Sequence, residues 1–253
     1  MKMRSIYSIS LLVAAVALLA LSVPVHAAKM DSHIESSAKQ SYVFKTYLKG
    51  DDVKVQSKDG AVTLTGTVSE ESHKSLAQDT VASLPGVKSV HNKLEIKGEV
   101  PAKSSDAWLI TKVKTTLLFH RSVSAANTEV DVKAGIVTLR GVAANLAQKE
   151  LTTEYAKDVE GVKDVINEMT VSNTAKKKQT VGEKIDDASI TAQVKMTLLS
   201  HHSTSALETK VETKRGVVTL SGKAKNATEK DLVTRLTSDV NGVKSVNNRM
   251  AIE

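Results

Sequence analysis

Cysteine is absent from the 253 residues. That excludes disulfides, thiolate metal sites, a cysteine nucleophile and the lipidated cysteine of a lipoprotein, so core packing alone must hold the fold. Aromatic residues are also scarce, at 3%, with a single tryptophan. Few rings are therefore available to stack on nucleobases, which argues against nucleic acid as a partner. Long apolar runs are missing too, with one exception: Leu11 to Leu21 consists only of Leu, Ala and Val. This run is shorter than the roughly 18 to 20 residues of a membrane span. It follows Lys2 and Arg4 and precedes short residues ending in Ala27 and Ala28, which is the order of a secretory signal peptide. Residues 1–27 are thus predicted to be a signal peptide cleaved after Ala27, and the destination to be the periplasm of a Gram-negative bacterium.

The formal charge of +7 first suggests an anionic partner, but its distribution is uneven. Loss of Lys2 and Arg4 with the signal segment leaves +5. Residues 31–98 hold nine basic and nine acidic side chains, residues 105–173 eight and nine, and residues 186–253 ten and eight. Much of the excess falls in the segment 174–185, where Lys176, Lys177, Lys178 and Lys184 face only Glu183. The three blocks are near neutral, and the basic character belongs to a linker.

Those blocks are copies of one unit. Asp59 to Gly66 (DGAVTLTG) recurs as Ala134 to Gly141 (AGIVTLRG) and Arg215 to Gly222 (RGVVTLSG), while Leu84 to Leu94 recurs as Val159 to Met169 and Val240 to Met250. Each copy reads as helix, strand, strand, helix, strand. In the second and third, Leu109, Val113 and Leu117 match Ile190, Val194 and Leu198, the spacing of a buried helix face. In the first, the opening helix is predicted at Tyr42 to Leu48, with several residues missing before the strand at Val53 and Val55, which makes this copy the loosest.

Gly60, Gly135 and Gly216 suit a hairpin turn that needs positive φ. The second helix is predicted to start at Ser69, Asn145 or Asn226. Its inward stripes are Leu76, Thr80 and Leu84, then Leu151, Tyr155 and Val159, then Leu232, Leu236 and Val240. It ends at a left-handed Gly86, Gly161 or Gly242, and a last strand such as Val162 to Val171 returns by a crossover. The expected fold class is α/β (α+β): three tandem αββαβ modules over 31–98, 105–173 and 186–253, each a three-stranded mixed sheet covered on one face by two helices.

The pattern Gly-x-Val-x-Leu-x-Gly, then a helix, then Gly-Val-x-x-Val-x-Asn resembles the BON domain. It is met at Gly60, Gly66, Gly86 and Asn92, at Gly135, Gly141, Gly161 and Asn167, and at Gly216, Gly222, Gly242 and Asn248. The glycines and asparagines are read as structural, making turns and capping backbone. The architecture is similar to that of osmotically inducible, OsmY-like periplasmic proteins, here with three modules. The resemblance implies a non-catalytic envelope protein of the osmotic stress response that contacts phospholipid or envelope proteins.

Little in the sequence points to chemistry. Carboxylates lie singly on polar faces, and no Ser, His and Asp set or phosphate-cradling loop is evident. His120 and His201 hold equivalent positions after the first helix of copies two and three, and His202 follows; such histidines are expected to be solvated, not to converge on a metal. Neither metal nor cofactor is predicted. Two functional classes remain: a peripheral module that docks on anionic phospholipid, and a protein-interaction or holdase-like factor. For the first, Trp108 is the candidate contact. At 100° per residue it lies roughly opposite the apolar face of its helix, so it is predicted on the solvent side, with Lys176, Lys177 and Lys178 as electrostatic partners.

Overall fold

The computed structural model describes residues 23–98, 101–172, 184–204 and 209–253. The apolar run of the predicted signal peptide and Lys176 to Lys178 lie outside the described residues. Within them the chain forms α1 (Val23–Gln40), α2 (Tyr42–Thr46), β1 (Asp52–Lys58), β2 (Ala61–Val68), α3 (Glu71–Ala82) and β3 (Ser89–Ile96) in the first repeat. The second holds α4 (Asp106–Phe119), a 3₁₀ turn at Ala125–Asn127, β4 (Thr128–Lys133), β5 (Ile136–Ala143), α5 (Leu146–Lys157), β6 (Asp164–Asn167) and β7 (Thr170–Val171). The third holds α6 (Asp187–Ser200), β8 (Thr209–Lys214), β9 (Val217–Ala224), α7 (Ala227–Ser238), β10 (Ser245–Asn248) and β11 (Ala251–Ile252).

In every repeat the second strand is central. It pairs antiparallel with the first strand through a two-residue hairpin and parallel with the last through the helical crossover, which gives the mixed sheet that the pattern predicts. Its inward side chains, Val62 and Leu64, Val137 and Leu139, Val218 and Leu220, are all fully buried. Each contributes about 1.5–3 kcal/mol of hydrophobic burial. The opening-helix residues Leu109, Val113 and Leu117, and Ile190, Val194 and Leu198, cover them at 0–1% exposure.

The hairpins explain why the motif begins with glycine. Both turn residues have positive φ: 53° and 82° at Asp59 and Gly60, 53° and 83° at Ala134 and Gly135, 54° and 80° at Arg215 and Gly216. This is the type I′ geometry that matches strand twist. A carboxylate from the opening helix stabilises each turn by accepting both of its amides. Asp106 takes Ala134 N and Gly135 N at 2.8 and 3.0 Å, Asp187 takes Arg215 N and Gly216 N at 2.6 and 2.8 Å, and Asp31 takes Asp59 N and Gly60 N at 2.8 and 3.0 Å. The second motif glycine answers a different need. A Cβ on Gly141 would stand 2.0 Å from Asn127 O, and one on Gly66 1.9 Å from Asp52 O.

The motif asparagines stitch the last strand to the second helix. Asn167 Nδ2 donates to Lys149 O at 2.9 Å and its Oδ1 accepts Met169 N at 2.9 Å; Asn248 and Asn92 repeat the arrangement on Lys230 and Lys74. The predicted strand Val162–Val171 is split into β6 and β7 at Glu168 and Met169, whereas β3 of repeat one runs unbroken through the equivalent Asn92.

Four local expectations need correction. The opening helix of repeat one is α1, which places Ile34 and Ala38 in the core. Among the α1 residues whose side chains are described, Ile34 and Ala38 are the buried hydrophobics, too faint a stripe to register as periodicity. Ser69 does not cap α3; Glu70 holds the cap position, and Ser69 Oγ turns to His73 Nδ1 at 3.0 Å. The inward face of α5 runs through Thr152, Ala156 and Val159, leaving Leu151 36% exposed, while Tyr155 packs against the cores of both its own repeat and the next. Lastly, the first repeat is not loose. Its core continues into Phe119 of α4 and into Ala188, Ala192 and Met196 of α6.

The repeats are therefore packed on one another. Helix α6 lies between its own sheet and repeat one, with eleven of its fourteen residues buried. Its second face is small or uncharged where α4 has Trp108 and Lys112, because Ser189 and Gln193 stand there instead. These residues bond to the first repeat. Val43 N donates to Ser189 Oγ at 3.0 Å, Tyr47 OH to Gln193 Oε1 at 3.3 Å, and Tyr42 N to Asp186 Oδ2 at 2.7 Å. Lys195 adds an ion pair with Asp79 at 3.1 Å.

Candidate functional site

Repeats two and three meet through reciprocal contacts. His120, which caps α4, makes an antiparallel bridge to Val240, and His201, which caps α6, makes one to Val159. Arg121 N donates to Asp239 O at 2.9 Å, and the equivalent His202 N to Asp158 O at 3.1 Å. Residue i of one repeat touches j of the other while j touches i, the signature of a local two-fold.

The two histidine rings sit on that axis. Their Nε2 atoms are 3.1 Å apart, and the side chains are 0% and 1% exposed. Each ring turns its Nδ1 toward a carboxylate at the end of the other repeat's second helix. His201 Nδ1 is 2.5 Å from Asp158 Oδ2. His120 Nδ1 is 3.2 Å from Asp239 Oδ2, within ion-pair reach but out of line for a hydrogen bond. Ser203 Oγ donates to Asp158 at 2.5 Å and Ser122 Oγ to Asp239. Tyr155 breaks the symmetry, since Leu236 holds its place in repeat three: its ring stacks on His120 at 3.8 Å and its OH donates to Asp239 Oδ2 at 2.7 Å.

The electrostatics follow from burial and these bonds. Burial lowers the His120 imidazole below its ordinary range; Asp239 opposes this shift and the charge of His201 adds to it. Burial alone would raise Asp158 and Asp239, yet both carboxyls are held below the usual range. For Asp158 the cause is the bonds from His201 and Ser203 together with the charges of His201 and His202; for Asp239 it is His120, Ser122 and Tyr155. Burial and Asp239 raise the Tyr155 phenol. Beside the pair opens a pocket of about 290 Å³ lined by Glu154, Tyr155, Lys157, Asp158, His201, His202, Ser203, Leu232 and Leu236.

The expectation of solvated histidines thus holds only for His202, whose side chain is 57% exposed. His120 and His201 are buried because the loops that carry them are the interface. Their placement at one position in two copies was the available signal. Among the described residues no group of three or more His, Cys, Asp and Glu side chains is arranged to hold a metal.

Trp108 is placed differently from the sequence expectation. It is half-buried, packed on the core of its own repeat and beside Gly161; the first turn of α4 lets the large ring reach round the helix to the glycine. Lys112 Nζ lies 5.3 Å from the ring centroid, a cation–π contact. No described helix is long and apolar enough to cross a membrane.

Comparison with known proteins bears on the whole chain. It is 33% identical over 143 residues to the osmotically-inducible protein Y of Escherichia coli, covering 56% of this chain and 70% of that protein. It is 33% identical over 116 residues to the outer membrane lipoprotein DolP of Haemophilus influenzae, covering 45% of this chain and 60% of DolP. A solved structure of CdsD, a structural protein of the type III secretion system of Chlamydia trachomatis, aligns with 17% identity over 87% of this chain at a TM-score of 0.25. The model of the BON domain matches three times, at residues 30–98, 105–173 and 186–253, so the chain is a member of the BON-domain family with three tandem copies.

Proposed function

We propose that this protein is a non-catalytic, exported envelope protein of the osmotic stress response, which binds anionic phospholipid surfaces peripherally from the periplasm. The observation that carries this reading is the partly buried indole of Trp108 with Lys112 over its face. An amphipathic ring beside a cation suits the interface of an anionic bilayer. Lys176, Lys177 and Lys178 would add on the order of 1 kcal/mol each near such a surface, which makes the binding weak and salt-sensitive. The names of the relatives support the setting: one is osmotically inducible and the other an outer membrane lipoprotein. Vesicle co-sedimentation with and without phosphatidylglycerol tests the reading. Trp108→Ala and replacement of the three lysines by Gln should each weaken binding to anionic vesicles. A parent protein that ignores anionic vesicles at low salt refutes it.

A second reading, a protein-interaction or holdase-like factor, draws on the outer sheet face of repeat two, where Ile136, Val142 and Ile166 are 39–48% exposed. Failure of vesicle binding together with suppression of a client protein's aggregation would favour it.

A further inference from the structure

The geometry at the local two-fold points to an acid-operated latch: the His120–His201 contact holds repeats two and three together while one proton lies between the two Nε2 atoms, and uptake of a second separates the repeats. This inference rests on the interface and is independent of the phospholipid reading.

The number of protons on the two rings decides whether the contact holds. At 3.1 Å two ring nitrogens are at hydrogen-bond distance, which requires one N–H and one lone pair. Two lone pairs would repel, and two N–H groups would clash as well as repel. The Nδ1 atoms cannot absorb the mismatch, because each faces a carboxylate. When both imidazoles are fully protonated, both Nε2 atoms carry hydrogens and the contact cannot persist. Nor can the rings relieve it by rotating, since both are buried and Tyr155 is stacked on His120.

Every charged or titratable group facing the pair leaves this conclusion standing. From α5 come Glu154, Tyr155, Lys157 and Asp158, the first and third at the pocket rim beside His202; from the end of α7 comes Asp239. Arg121 Nε is 3.7 Å from Asp239 Oδ1, and His202 Nδ1 is 2.9 Å from Asp158 Oδ1. Asp158 and Asp239 balance one positive charge on the pair, while Arg121 opposes a second. The depressed His120 imidazole agrees with this. A histidine that resists protonation in the closed state but takes a proton freely when exposed makes closure favourable at neutral pH and progressively unfavourable below about pH 6.5. What opens is specific: the bridges of His120 to Val240 and Val159 to His201 lie directly on the loops that carry the rings.

The test uses the chain carrying all three repeats. Because it has no cysteine, Glu150→Cys and Asp231→Cys, exposed and equivalent positions on α5 and α7, accept spin labels without background. Distance distributions are recorded from pH 8 to pH 4.5. One narrow distance at pH 8 should give way to a longer, broader one as the pH falls below about 6.5, with the change evident by the end of that range. The double replacement His120→Gln and His201→Gln, whose amides can still donate and accept, should remove the transition, while His202→Gln should leave it. An unchanged distance at pH 4.5, or a transition that survives in the double variant, overturns the latch. If the double variant fails to fold, nitrogen-15 spectra of the histidine rings in the otherwise unsubstituted, labelled chain decide. Both imidazoles fully protonated at a pH where the distance is still short would refute the proposal; one shared proton throughout the closed state would support it.

Discussion

Phe119 is the sharpest probe of whether the three repeats form one folding unit. It is the last residue of α4, in repeat two, yet its ring is 0% exposed inside the core of repeat one, edge-on to Tyr47 with centroids 5.4 Å apart. Phe119→Ala removes a fully buried ring and leaves a cavity that neighbouring backbone cannot close, which costs about 3–5 kcal/mol. For a chain of this size roughly 4 kcal/mol corresponds to a fall in Tm of about 8–16 °C. The assay follows unfolding by far-UV circular dichroism and by Trp108 fluorescence, which reports repeat two alone. If the repeats are coupled, the parent unfolds in one transition by both probes, and Phe119→Ala moves both downward together. Two well-separated transitions in the parent, or a loss below about 1 kcal/mol, would contradict the packing described here.

Other predictions follow from the hairpin clamp, the buried carboxylates and the linker. Asp187→Asn leaves one oxygen to accept what two carboxylate oxygens now take from Arg215 N and Gly216 N; it should cost about 1–2 kcal/mol and speed hydrogen exchange at those two amides, and unchanged exchange would count against the clamp. Asp158 and Asp239 have depressed folded-state values, so their stabilisation is present above the unfolded carboxylate range and is lost as pH falls through the folded values, below about pH 4. A double replacement by Asn should flatten urea-derived stability against pH in that window, and an equally steep loss would assign it elsewhere. Limited proteolysis should cut first near Lys176 to Lys178; first cuts within residues 211–222 would contradict the repeat boundaries.

The repeat architecture was legible because its signals are local. Glycines at fixed intervals mark turns, and stripes such as Ile190, Val194 and Leu198 mark a helix face whatever else the chain does. What escaped was long-range. Asp31, Asp106 and Asp187 read as ordinary acidic residues near a helix start, although each precedes its hairpin glycine by 29 positions; aligning them would also have placed the first helix of repeat one correctly. The second buried face of α6 is written in small and uncharged residues, Ala188, Ser189, Ala192 and Gln193, a pattern that periodicity of large apolar side chains does not detect. The histidine pair was half visible: equivalence of His120 and His201 is in the sequence, but convergence depends on a two-fold that only packing reveals. Trp108 was misplaced because angular position on a helix ignores the reach of a large ring.

Since Trp108 is the only tryptophan in the chain, its emission in the presence of vesicles is the most direct test of peripheral phospholipid contact. With phosphatidylglycerol vesicles at low salt, its fluorescence should shift to the blue and be quenched by lipids brominated near the headgroup end of the acyl chain, and added salt should reverse both effects. An emission spectrum that ignores anionic vesicles, or quenching that is equal with purely zwitterionic ones, would contradict the account.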